Sequence, residues 1–153
     1  MSSNARSRKT IRGRWETHFN ADVVGGGYAH SFYSYDKRDF QGQSPIVLFF
    51  SLGSERVPFG IGTDKHDNLF RFAILSFVKE AASDAGYTAA EVEDALDNLE
   101  KAITDCVMDH RKDGSYWTHA YLDQSPSSIM PVVVNNVPYK MEARTLIVEV
   151  TDV

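Results

Sequence analysis

Apolar and polar positions along the chain fall into stretches of different period. Over residues 11–19, Trp15, Thr17 and Phe19 alternate with Arg14, Glu16 and His18, the period of a half-buried strand. Residues 23–35 continue as a second strand, with Tyr28, His30 and Phe32 opposed to Ala29, Ser31, Tyr33 and Tyr35, and the Gly25-Gly26-Gly27 triplet predicts a bulge or bend within it. Residues 46–52 (IVLFFSL) form an unbroken apolar run of strand length, expected of a central strand covered on both faces. A short strand over residues 57–61 follows, and Pro58 assigns it to an edge.

The middle of the chain predicts a hairpin of two α-helices. Over residues 69–85, Leu69, Phe70, Phe72, Ala73, Ile74, Leu75, Phe77 and Val78 leave little polar relief, as in a helix covered on most of its girth. Gly86 suits a helix end, and Thr88 with Glu91 forms a Thr-x-x-Glu capping box that opens a second helix. Its stripe of Val92, Leu96, Leu99, Ile103, Cys106 and Val107 is narrow, and acidic residues occupy the remaining girth. Beyond it, residues 115–122 alternate as a strand. Residues 129–134 and 137–150 form a further pair around Asn135-Asn136, a dipeptide that tolerates positive φ in a tight turn. The order of strands, then helices, then strands predicts an α+β domain. Its sheet is mainly antiparallel, with about six or seven strands, and the hairpin of residues 67–85 and 89–112 packs on one face.

The 153 residues fit one domain, residues 10–153, preceded by a basic and disordered arm over residues 1–9. The lone Cys106 excludes an internal disulfide, and its place on the apolar stripe predicts a packed thiol in a reducing, cytoplasmic setting. No apolar run reaches the roughly 20 residues that span a bilayer, so no membrane association is expected. The net charge of −5 is unevenly spread. Arg6, Arg8, Lys9, Arg12 and Arg14 precede the first acid, whereas residues 89–105 hold six carboxylates against Lys101.

Candidate chemistry is sparse. Gly60-x-Gly62, Thr63 and Lys65 precede the first expected helix and form an anion-binding candidate, with His18 and His119 as nearby acid-base groups. The third glycine of a dinucleotide fingerprint and the Gly-Lys-Ser/Thr of a P-loop are absent. No two histidines stand at a ligand spacing, so neither metal nor cofactor is expected. Recognition residues are plentiful by comparison. Tyr28, Phe32, Trp117 and Tyr121 are assigned to an aromatic sheet face, and Glu93, Asp94, Asp97 and Glu100 to the acidic helix, a docking face for a basic partner. The resulting expectation is a non-enzymatic protein-binding module of the inhibitor or immunity type, with homodimerisation through the open sheet face as a related expectation. Two alternatives are a nucleotide or phosphate ligand at Gly60 to Lys65, with or without catalysis, and nucleic-acid binding through the basic arm.

Overall fold

A computed structural model describes residues 7–58, 66–80, 88–114, 116–125 and 127–151. The chain opens with helix α1 (Arg8–Phe19), which runs directly into a π-helical turn over Asn20–Val24. Strands β1 (Ser31–Tyr33), β2 (Ile46–Pro58) and β3 (His66–Lys79) follow, then helix α2 (Ala89–Asp109) and strands β4 (His119–Leu122), β5 (Ser128–Val134) and β6 (Val137–Thr151). Among the described residues the fold is α+β, with two helices and a six-stranded mixed sheet in the order β1-β2-β3-β6-β4, β5 pairing with β6. The β1–β2 pair is parallel and the other named pairs are antiparallel, so the sheet is largely antiparallel, as expected, and mixed through its one parallel edge pair. Among the described residues no helix is long and apolar enough to cross a membrane.

The N-terminal segment is helical, not extended. Ile11, Trp15, Phe19 and Val23 recur every four residues and are fully buried, while the period-two pattern of Trp15, Thr17 and Phe19 is a coincidence of the same positions. Ser7 caps the helix by accepting from the Thr10 amide at 3.1 Å. The helix thus begins inside the stretch assigned to a basic arm, and its arginines bind the body of the protein. Arg8 donates to Ser54 at 3.4 Å, Arg12 to Ser51 at 3.2 Å and Arg14 to Asp113 at 3.2 Å. The glycine triplet ends the π-helical turn instead of bending a strand: the Gly25 amide bonds Asn20 oxygen, and Gly27 has φ +81°.

The first helix of the expected hairpin does not exist over residues 66–79, which form the central strand β3. Its alternate residues reach two different cores. Phe72, Ile74 and Val78 face both helices, and Phe77 and Leu75 face the other way, toward Phe40, Leu48 and Tyr139. A segment apolar on every side is the mark of a doubly covered strand as much as of a buried helix, and periodicity alone does not separate them. Pairing decides, since β3 lies between β2 and β6 over residues 67–77. Residues 81–87, including Gly86 and Tyr87 of the expected joint, lie outside the described residues.

Other features agree with the sequence. Thr88 and Glu91 form the capping box at the start of α2. The β5–β6 hairpin turns through Asn135 (φ 48°) and Asn136 (φ 65°), the two positive values of a type I′ turn. The larger core joins α1, the π-helical turn and α2 to the sheet through Val47, Phe49, Phe72, Ile74, Leu146 and Val148. The smaller lies on the opposite sheet face, where Phe40 from the β1–β2 connection packs edge-on against Phe77 and Tyr139.

Candidate functional site

Among the described residues, a group of reactive side chains lies where the π-helical turn meets the last turns of α2. Cys106 and His110 are four residues apart, so both project from one face of the helix. Asp22 reaches them from the π-helical turn, its Oδ2 lying 3.1 Å from His110 Nε2. One ligand atom from each of Asp22, Cys106 and His110 lies within 4.8 Å of the others. Burial and the hydrogen bond to the Asp22 carboxylate raise the Cys106 thiol above its ordinary range. A shallow pocket of about 300 Å³ opens beside the cluster, lined among others by Tyr28, Asn98, Lys101 and Asp109.

A second layer stacks beneath it. The His18 ring lies parallel to His110 with centroids 3.6 Å apart, and Trp15 stacks on Trp117 at 4.6 Å. The Trp117 indole donates to the His110 carbonyl at 2.9 Å, fixing the end of α2. Among the described residues, His18 Nε2 and Trp15 Nε1 are buried without a hydrogen-bond partner, and the Asp113 carboxylate stands 3.9 Å from His18. Burial first, then His110 and Arg14, lower the His18 pKa to about 4 against the opposing pull of Asp113 and Asp22.

A neutral imidazole held this way gives a sign for acid stability. The folded-state value lies below the unfolded 6.5, so the contribution of His18 is fully present above about pH 6.5 and is lost as pH falls toward 4. The limit is roughly 3 kcal/mol. Urea denaturation in chelator between pH 4 and 7 checks this, and His18→Asn is expected to flatten the profile. An unchanged slope in that variant would assign the acid sensitivity to other groups.

The residues expected to act together divide between places. Gly60, Gly62, Thr63 and Lys65 lie outside the described residues. His18 belongs to the helix side of the sheet, whereas His119 alternates with the buried Ala120 and faces the other side next to Tyr121. The sheet therefore separates the two histidines. Phe32 and Trp117 are not on an open aromatic face; both are buried in the larger core. Tyr121 is exposed on the far face, and Tyr28 is exposed beside the pocket. Glu93, Asp94, Asp97 and Glu100 stand on α2 as expected, Glu93 bonded to Lys140 at 3.4 Å and Glu100 to Arg144 at 2.8 Å. The cluster itself escaped sequence reasoning. The spacing Cys106-x-x-x-His110 is its one legible trace, while Asp22 is brought in by tertiary packing.

A further surface lies along β5. Its side chains Ile129, Met130 and Val133 are exposed, Val133 by 70%. Among the described residues β5 is paired only with β6. The two-residue turn puts Val134 and Val137 in a hydrogen-bonded pair, so the backbone groups of Ile129, Pro131 and Val133 point away from β6. Pro131 thus sits where its missing N–H costs no ladder bond. The chain matches no family model and no curated protein.

Proposed function

We propose that this protein is a binding module that docks a basic, extended segment of a partner protein across the β5 edge and the acidic outer face of α2. The supporting observation is the adjacency of the two surfaces. Lys140, which bonds Glu93, is the register partner of Pro131, so the start of α2 lies alongside β5. Ile129, Pro131 and Val133 share the helix side of the sheet with Lys140 and Glu142, and Ile129 and Val133 are exposed there. Exposed Asp94 and Asp97 form no ion pair among the described residues. An added strand would gain backbone bonds from Ile129 and Val133, and its basic side chains would meet uncompensated carboxylates. A second copy of this chain fits less well, because it brings the same acidic face and the same proline.

Fluorescence anisotropy with a labelled peptide of alternating lysine and valine tests this reading. Binding is expected to weaken with added salt. The double variant Asp94→Lys, Asp97→Lys should lower affinity roughly tenfold, as should Val133→Lys alone. Equal binding of a glutamate-valine peptide, or no response to either variant, would refute it.

A further inference from the structure

Three observations at the Asp22, Cys106 and His110 cluster point the same way and are independent of the β5 surface. The first is the donor set. A thiolate sulfur, a neutral imidazole nitrogen and a carboxylate oxygen carry two negative charges together, which balance a dication. They are also the ligand types that suit a borderline-soft ion with tetrahedral preference. The second is placement on the backbone. Cys106 and His110 share one helix face at a spacing of four, and Asp22 lies on a π-helical turn, whose extra residue re-aims it toward α2. The Gly25 amide closes that turn on Asn20 oxygen at 2.8 Å. The third is the field. Asp22 is in the turn that ends the first helical segment, and His110 caps the C-terminus of α2, so two negative helix ends converge where a cation would sit. Asp109 adds a further carboxylate to the pocket wall.

We propose that Asp22, Cys106 and His110 bind one zinc-class divalent cation, with a fourth coordination position open to the pocket beside Tyr28, Asn98 and Asp109. Three protein ligands and an open position distinguish this arrangement from the closed four-ligand sites that serve only structure. The stacked His18 ring restrains His110 from behind. On binding, the Cys106 S–H bond breaks, its proton leaves to solvent, and a sulfur–metal bond forms in its place. No oxidation or reduction is involved. This ligand set carries no paired-histidine or paired-cysteine motif, and Asp22 stands 88 residues from His110 along the chain, so nothing in the linear spacing announces it.

The test uses the full chain, stripped with chelator and titrated with zinc chloride by calorimetry in buffers of different protonation enthalpy. The expected result is one zinc per chain, with about one proton released on binding. Substitution with cobalt should give a thiolate-to-cobalt charge-transfer band that is absent in Cys106→Ser. Asp22→Asn, at a half-exposed position, should lower zinc affinity roughly 100-fold, and Asp36→Asn, at an exposed position outside both sites, should leave it unchanged. Non-stoichiometric binding, a cobalt complex without the charge-transfer band, or an Asp22→Asn variant with unaltered affinity would each overturn the proposal.

Discussion

Replacing Trp117 by alanine is expected to lower the unfolding free energy by about 3–5 kcal/mol, and replacing Tyr121 by about 1 kcal/mol or less. Both aromatics come from one short stretch and look alike in the sequence. Trp117 is 2% exposed, stacked on Trp15 at 4.6 Å and bonded through its indole N–H to His110 oxygen. Truncation would leave a cavity between α1 and α2 and remove the hydrogen bond to the part-buried His110 carbonyl. Tyr121 loses little on truncation because much of its ring already meets water. Urea denaturation with unchanged slope measures both. Because the two tryptophans share one contact, the Trp15→Ala, Trp117→Ala pair should cost less than the sum of the single changes. A Trp117 cost no greater than that of Tyr121 would remove the ring from the core.

The second large effect concerns β3. Phe72→Ala and Phe77→Ala are each expected to cost about 3–5 kcal/mol, because each ring fills a different core. Phe72 stacks on Phe49 at 4.9 Å on the helix side, and Phe77 meets Phe40 at 4.9 Å on the other. Because the two rings belong to separate cores, the milder changes Phe72→Leu and Phe77→Leu, at about 1–2 kcal/mol each, should add in the double variant. Strong coupling between them would contradict a sheet standing between two separate cores. Alternation along a strand is the reason for the expected additivity, since neighbours five apart lie on opposite faces.

Elements whose backbone groups are satisfied by neighbouring residues are legible in the sequence, and those that depend on distant partners are not. The β5–β6 hairpin and α2 could be read directly, because Asn135-Asn136 and the Thr88–Glu91 capping box satisfy backbone groups through local chemistry. Residues 66–79 could not. Leu69 to Val78 are apolar apart from Arg71 and Ser76, and a helix or a strand would bury them equally well until partner strands are supplied. Residues 11–19 misled for the opposite reason, since Trp15 and Phe19 satisfy a four-residue and a two-residue period at once. Only the added positions Ile11 and Val23 favour the helix.

The candidate sites divide along the same line. The acidic positions Asp94 and Asp97 were assigned from sequence because a surface helix exposes whatever its apolar stripe does not use. The aromatic face failed at Phe32 and Trp117, since strand and loop aromatics carry no mark of which side of a sheet they will face. Asp22 and His110 are 88 residues apart and meet at 3.1 Å. By itself the sequence determined the features set within one turn of chain: the caps, the type I′ turn, the amphipathic α2 and the charge along it. Tertiary structure alone decided the rest, namely that β3 is central, that α1 closes over the sheet, and that Asp22 reaches Cys106 and His110. The physical reason is that local hydrogen bonds and periodicity fix short-range conformation, whereas burial on both faces and contacts across the sheet depend on partners far along the chain.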